Sequence, residues 1–221
     1  VWLAESGLPG AGLLVVRDGS VVHEAYYGAY DERTVVPIAS ASKWLAGALV
    51  LALVDERKLA LEDPVSKYVP EFTGDKAAIN VRQLFDHTSG LPSTSGERGG
   101  PFSTLERAAR DLAGVDLVSA PGRVFRYGGD AMQVGGRVVE VAGGASWNEL
   151  FAKHLAKPLG LVHTHWGAFG LSRNPQIAGG AVTTLPEYGR FVRMLLAGGE
   201  FDGRRVLSAA AVRELVTDHT G

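Results

Sequence analysis

The chain has 221 residues and a formal net charge of −2, with hydrophobic residues at 46% and charged residues at 21%. This composition is that of an ordinary globular protein, and the charge gives no electrostatic reason to expect nucleic acid or an anionic membrane as a partner. The absence of cysteine excludes disulfides and thiolate metal sites, and it leaves the compartment open.

The first elements in chain order are two strands. Residues 12–18 (GLLVVRD) and 20–30 (SVVHEAYYGAY) are rich in β-forming residues and meet at Asp18-Gly19, a pair typical of hairpin turns. An isolated hairpin is only marginally stable in water. We therefore expect this hairpin to belong to a larger sheet.

A very apolar helix follows, over about residues 41–57. Residues 44–54 (WLAGALVLALV) carry no charge, which indicates a helix buried on all sides. The run is too short to span a membrane, which needs about 20 residues. Ser40 and Lys43 stand at the start of this helix, one turn apart on the same face. Ser40 is interpreted either as a helix cap beside a lysine that reaches the surface, or as a nucleophile beside its proton acceptor.

The remaining chain is predicted to be mostly helix and loop. Asp63-Pro64 and Asn80 are predicted helix starts, and three S/T-x-x-E capping boxes predict three further starts. The capping boxes are Ser103 to Glu106, Ser146 to Glu149 and Thr184 to Glu187. The predicted helices lie near 104–113, 130–142, 147–155, 185–196 and 209–216, with glycine pairs at 143–144 and 198–199 as ends. Segments 88–101 and 167–182 are predicted loops, and 201–208 one short hairpin.

Two further stretches carry a family likeness. Tyr127 stands just before a predicted helix in RYGGDAMQVGG, which begins at Arg126, and LFDHTSGLP spans residues 84–92. Together with IASASK and the front hairpin, these stretches resemble the serine β-lactamase and penicillin-recognising family over essentially the whole chain. The likeness is greatest to class C β-lactamases and the related carboxylesterases and D-stereospecific peptidases.

This resemblance implies an α+β fold with an antiparallel sheet flanked by helices and a mostly helical subdomain. The expected single catalytic domain divides into the hairpin and nucleophile helix (12–57), a mostly helical part (58–185) and a return towards the sheet (186–221). It also implies a small-molecule ester or amide as substrate, with no cofactor and no transmembrane segment. The oligomeric state stays open.

The resemblance further implies a catalytic set of Ser40, Lys43 and Tyr127. The S-x-x-K serine of the family is the acylated nucleophile, and Tyr127 falls on the tyrosine of the family's Y-x-N motif. A serine hydroxyl reacts poorly until a neighbour takes its proton, and Lys43 can do so only when neutral, a form that burial beside Trp44 would favour. The phenol of Tyr127 can relay that proton to the leaving group. The backbone N–H of Ser40 at a helix N-terminus would favour an oxyanion.

The HTSGLP stretch marks the family, and we assign it a structural role. Gly90 suits the left-handed end of a helix. His87 is expected to cap or pack, and not to catalyse.

The chain departs from the family pattern at two places. Gly129 replaces the asparagine of Y-x-N, which removes a polar contact to an acylamino side chain and predicts that esters are preferred to β-lactams and peptides. Asp130 is a candidate partial replacement. The letters His219-Thr220-Gly221 match the family's third motif, but the residues before them read as a helix. We therefore expect two or three further antiparallel strands beyond Gly221, the first of which carries the third motif.

Three other interpretations stay open. The same residues would serve a β-lactamase or a D-amino-acid peptidase. A non-catalytic homologue would use the pocket only for binding. A metal-dependent hydrolase would use His163 and His165 with His154 as the nearest third ligand, although two surface histidines in a loop are the expected outcome.

Overall fold

The computed structural model describes residues 5–92, 103–167 and 172–219. Its strands are β1 (Gly10–Arg17), β2 (Ser20–Gly28), β3 (Val36–Pro37), β4 (His165–Trp166), β5 (Ala181–Thr183), β6 (Glu200–Phe201) and β7 (Arg204–Arg205). Its helices are α1 (Ser42–Asp55), α2 (Val81–Phe85), α3 (Leu105–Ala113), α4 (Asp130–Gly143), α5 (Trp147–Phe151), α6 (Lys157–Leu159), α7 (Leu185–Leu196) and α8 (Ala209–Val216). The expected α+β class, with antiparallel strands and helices, is confirmed.

The front hairpin is formed by β1 and β2, which pair antiparallel as predicted. Asp18 and Gly19 both have left-handed backbone angles (φ 51° and 76°), as a tight two-residue hairpin turn requires. Leu14 packs against Gly189 of α7, so the inner face of the hairpin is covered by that helix. On the hairpin, the large apolar side chains that remain exposed are Leu13, Val15, Val21, Val22 and Tyr27.

The apolar helix α1 lies at the centre of the core, as the uncharged run predicts. Leu45, Leu49 and Leu53 have no exposed surface, and α1 packs against α4 and α8. The helix ends at Asp55, two residues before the predicted end. Arg57 takes the left-handed conformation (φ 56°), so the chain cannot continue the helix there.

A small three-stranded sheet joins residues 36–37 to residues 165–166 and 181–183, and the sequence did not predict it. The strand order is β3-β5-β4, and both neighbouring pairs are antiparallel. Its central strand, β5, is three residues long and fully buried, and its first two residues lie in segment 167–182, so the predicted loop is wrong at its end. Strands of two or three residues are too short to show an alternating pattern. β3 leads directly into Ser40, so this sheet positions the candidate site.

The predicted helix starts are confirmed in part. Asn80 forms a capping box with Gln83, and Ser146 forms one with Glu149. The capping box at Ser103 is wrong, because Thr104 is the residue whose hydroxyl accepts a hydrogen bond at the start of α3, from the Arg107 N–H. The next position along the chain therefore caps the helix.

Two other starts differ from the prediction in detail. Thr184 caps α7, but the carboxylate of Glu187 turns away to accept hydrogen bonds from the N–H groups of Val162 and His163. At Asp63-Pro64 only a short 3-10 turn, Val65–Lys67, is formed. Among the described helices, none has the length and apolar character that crossing a membrane requires.

Candidate active site

Ser40 lies in a tight turn between β3 and α1. The turn is a 3-10 segment, Ala39–Ala41, and Ser40 is exposed on it. Ala39 has a left-handed backbone (φ 44°), which is uncommon for a residue with a side chain and costs of order 1–3 kcal/mol. The turn therefore needs support from its surroundings to keep this shape.

Ser42 supplies much of that support from inside the fold. Its side chain has no exposed surface. The Ser42 hydroxyl donates a 2.6 Å hydrogen bond to the carbonyl oxygen of Ala39 and accepts a 3.1 Å hydrogen bond from the Ala181 N–H. The Ile38 N–H donates in turn to the Ala181 carbonyl oxygen at 3.0 Å. The turn that carries Ser40 is thus tied on both sides to β5.

Lys43 reaches the Ser40 hydroxyl directly. Its Nζ donates to Ser40 Oγ at 3.2 Å and to the carbonyl oxygen of Ala178 at 2.8 Å. The same nitrogen lies 4.6 Å from the ring centroid of Tyr127. Trp44, which was expected to cover this amine, is itself 45% exposed and lines the same cavity as Lys43. The two hydrogen bonds of Nζ hold the amine in place.

Tyr127 completes the group of three predicted residues. Hydrogen bonds from Lys43, and then from Ser40, lower the pKa of the Tyr127 phenol below its ordinary value of about 10, against a smaller opposing effect of burial. The cause is physical: a cation that donates to a phenol stabilises the phenolate. The ring is 52% exposed, so the group opens to solvent. The structure brings Ser40, Lys43 and Tyr127 within hydrogen-bonding reach of one another.

The carbonyl oxygen of Ala178, which accepts from Lys43, lies on a segment that Gln133 holds in place. The sequence analysis did not single out Gln133. Gln133 is buried on α4, and its amide donates to Asn174 Oδ1 at 3.0 Å and to the Pro175 carbonyl at 2.9 Å. Its side-chain oxygen accepts from the Ile177 N–H at 2.8 Å. Ala178 comes next, so the Gln133 side chain fixes the segment that presents its carbonyl to Lys43.

His87 lies against the catalytic group, and the expected role of Gly90 is wrong. α2 ends at Phe85, and the left-handed residue that follows it is His87 itself (φ 63°). Gly90 (φ 79°) instead lets the backbone pass close to Ser119. The imidazole of His87 packs on the Tyr127 ring with centroids 4.7 Å apart.

The position at which the family has asparagine, and this chain has glycine, lies at the start of α4. Gly129 is the N-cap residue, and no side chain caps the helix there. Asp130 is fully buried in the first turn of α4. A fully buried carboxylate cannot contact a substrate, so the structure does not support Asp130 as a replacement for the asparagine.

His219 lies after α8 and not on a strand. Its Nε2 is 3.0 Å from Glu214 Oε1 and 3.5 Å from Arg82 Nη1. A cavity of about 310 Å³ separates this cluster from Lys43, and its lining does not include Ser40. The expected helix over 209–216 is confirmed, while Thr220 and Gly221 of the letter match lie outside the described residues.

The histidines of the metal interpretation do not come together. His154 meets Glu56 at 3.4 Å, and the backbone N–H of His163 donates to Glu187. His165 lies in β4. In the described ranges, no group of three or more His, Asp or Glu side chains has an arrangement that could hold a metal ion.

A comparison with known proteins gives a match over nearly the whole chain. A family model described as Beta-lactamase matches residues 3–220. "Protein flp" of Staphylococcus aureus (strain MW2) is 32% identical over 177 residues, which cover 73% of this chain and 36% of the relative. The chain therefore spans about a third of the length of that curated relative.

Solved structures give the same fold. A Bacteroides dorei DSM 17855 protein named as a candidate beta-lactamase superposes with a TM-score of 0.88 at 36% identity, over 98% of this chain and 68% of its own. EstCE1, named as a hydrolase with promiscuous acyltransferase activity, has a TM-score of 0.80 at 23% identity, over 99% of this chain and 75% of its own. The match of the family model to nearly every residue decides the assignment: the chain belongs to the Beta-lactamase family.

Proposed function

We propose that the chain carries the acyl-transfer site of a serine hydrolase, with Ser40 as nucleophile and carboxylic esters as substrates. One observation carries the proposal: the Ser40 hydroxyl, the Lys43 amine and the Tyr127 phenol form one hydrogen-bonded group. The other interpretation of Ser40, as a helix cap beside a lysine that reaches the surface, does not account for this hydrogen-bonded group. Lys43 turns to Ser40 and to a backbone carbonyl, and α1 begins after Ser40.

The reaction starts with transfer of the Ser40 proton. As Ser40 Oγ forms its bond to the ester carbonyl carbon, its proton passes to the Tyr127 phenolate that Lys43 stabilises, or to the Lys43 amine, which then passes a proton on to Tyr127. The carbonyl oxygen gains a negative charge beside the Ser40 N–H at the start of α1. Collapse of this intermediate breaks the bond to the alcohol, which takes a proton from Tyr127. A water molecule then repeats these steps on the acyl-enzyme and releases the acid.

A labelling experiment tests the nucleophile. We expect a fluorophosphonate to modify the chain at Ser40, as mapped by mass spectrometry, together with hydrolysis of p-nitrophenyl acetate. Ser40→Ala should abolish both signals without loss of the circular dichroism spectrum. Ser20→Ala, at an exposed serine of the hairpin, is the matched control and should keep both. Full hydrolysis or labelling in Ser40→Ala would exclude the proposed nucleophile.

A β-lactam or D-amino-acid peptide is the second candidate substrate, because the family model is named for lactam hydrolysis. The same nucleophile would serve, so a fluorescent penicillin belongs in the labelling experiment. Gly129 and the buried Asp130 favour the ester, since neither offers a side chain to an acylamino group. A non-catalytic homologue would bind a substrate without reacting with it, so the absence of both labelling and hydrolysis would favour this alternative.

A further inference from the structure

His87 combines three unusual features beside the catalytic group. It holds a left-handed backbone although it has a side chain, and such conformations persist only where the surroundings enforce them. Its Nδ1 atom is buried without a hydrogen-bond partner. Its ring contacts two aromatic rings, those of Phe125 at 5.8 Å and Tyr127 at 4.7 Å. A residue that only ended α2 would need none of these contacts.

The backbone of His87 also holds the segment that carries Tyr127. The Arg126 N–H donates a 2.8 Å hydrogen bond to the His87 carbonyl oxygen, one residue before Tyr127. The ring contact and the hydrogen bond act on adjacent residues. Together they fix both the position of the Tyr127 backbone and the direction of its ring.

We propose that His87 is a positioning residue: its imidazole forms the wall against which the Tyr127 ring rests, and so keeps the phenol within reach of Lys43 and Ser40. This inference rests on the proposed function. Tyr127 is half-exposed, so without the wall its ring would turn towards solvent. Such a turn would move the ring away from Lys43, whose Nζ lies 4.6 Å from its centroid. Loss of the wall should separate the phenol from the Lys43 amine.

The electrostatics around His87 suit a passive wall. Burial first, and then the charge of Lys43, lower the pKa of the His87 imidazole below its ordinary value, while Asp86 raises it slightly. His87 is therefore neutral at neutral pH and does not compete with Lys43 for the phenolate. It has no charge to contribute, so its effect on Tyr127 is exerted through contact.

The ionisation of Tyr127 is the readout that separates positioning from simple stability. The chain has six tyrosines, and ¹³Cζ labelling with a Tyr127→Phe spectrum identifies the signal of Tyr127. In the wild-type chain we expect this phenol to titrate below the ordinary value of about 10. In His87→Asn, which tolerates the left-handed backbone but lacks the ring, the pKa should return towards that value. In His87→Phe, which restores a ring, it should stay low.

Activity gives the second readout. His87→Asn should lower kcat for p-nitrophenyl acetate by about 10- to 100-fold with little change in KM, the loss expected for a misplaced catalytic group. His87→Phe should keep most of the wild-type kcat. His154→Asn is the matched control, because His154 is also a buried histidine with an unpartnered ring nitrogen but contacts Glu56. It should change thermal stability and leave the Tyr127 titration unchanged.

Several results would overturn the inference. These are an unchanged Tyr127 pKa in His87→Asn, an equal shift in His154→Asn, or a wild-type phenol that titrates at its ordinary value. If His87→Asn does not fold, His87→Gln, which also lacks the ring, decides the question by the same titration. The titration needs no turnover. A chain that fails to label at Ser40 while its Tyr127 shifts as expected would therefore contradict the proposed function and keep the positioning role.

Discussion

The hydroxyl of Ser42 lies 2.6 Å from the carbonyl oxygen of Ala39 and donates a hydrogen bond to it across the turn that carries Ser40. The same hydroxyl accepts from the Ala181 N–H, so one buried side chain joins the nucleophile turn to β5. Ala39 is the strained residue of this turn. The bond from Ser42 is therefore a direct restraint on the left-handed conformation.

Ser42→Ala should both destabilise the fold and slow the reaction. Removal of the hydroxyl takes this hydrogen bond from the buried Ala181 N–H, which costs about 1–3 kcal/mol of unfolding free energy. Relaxation of Ala39 would also displace Ser40, so kcat should fall while KM changes little. Urea unfolding and p-nitrophenyl acetate kinetics measure the two effects.

The matched control is Ser119→Ala. The Ser119 hydroxyl is also buried, but it has no hydrogen-bond partner in the part of the chain described. Its loss should be nearly neutral for stability and activity. Equal effects of the two variants would show that Ser42 has no special role at the turn.

Lys43→Arg tests whether the lysine accepts a proton. Arginine keeps a positive charge beside Tyr127 but cannot become neutral at working pH. We expect kcat to fall by at least about 100-fold, the low end for loss of a general base. Lys153→Arg, at an exposed lysine, should have no effect. A change confined to KM would instead assign proton transfer to Tyr127 and leave Lys43 only its charge.

The sequence predicted the elements whose apolar pattern is long enough to read. The hairpin and α1 follow from eight or more patterned residues each, and both are confirmed. The sheet of β3, β5 and β4 could not be predicted, because strands of two or three residues show no alternation. Its pairing is set by tertiary contacts.

In the candidate site, too, the sequence predicted some residues and not others. Ser40 and Lys43 are one turn apart in the chain, so their spacing alone suggested that they meet, and Tyr127 came from a family resemblance. The supports of the site were not predicted. Ser42 meets Ala181 across 139 residues and Lys43 meets Ala178 across 135, and no local pattern signals such contacts. A polar serine within an apolar helix start was the one available signal.

His154 predicts a loss of stability in mild acid. Burial lowers the pKa of this imidazole below its ordinary value of about 6.5, with Lys153 and Lys58 acting in the same direction and Glu56 opposing them. The unfolded chain therefore takes up a proton at a higher pH than the folded chain does. Stability should fall as the pH drops below about 6.5 and level off below the folded-state pKa.

Thermal unfolding between about pH 7 and pH 5, on both sides of the ordinary histidine pKa, measures this effect. His154→Gln should flatten part of the decline and not all of it, because the pKa of His87 is lowered too. A decline as steep as in the wild-type chain would show that His154 has the same pKa in both states.

The last prediction concerns the substrate: kcat/KM for a short acyl ester should exceed that for nitrocefin. The reason lies at the start of α4, where Gly129 has no side chain to offer and Asp130 is buried. An acylamino group on a β-lactam would lose its hydrogen bonds to water there without gaining a partner. An ester without such a group loses nothing. Nitrocefin hydrolysed with the higher kcat/KM would contradict this ordering.

Gly129→Asn tests the cause of that preference in the same protein. The Gly129 backbone has a negative φ, so asparagine brings no left-handed strain. The variant should therefore fold. Its kcat/KM for nitrocefin should rise relative to that for the ester, because the new amide can meet an acylamino group. If nitrocefin gains nothing while thermal stability is kept, the missing side chain at this position does not set the preference, and another wall of the site must exclude the lactam.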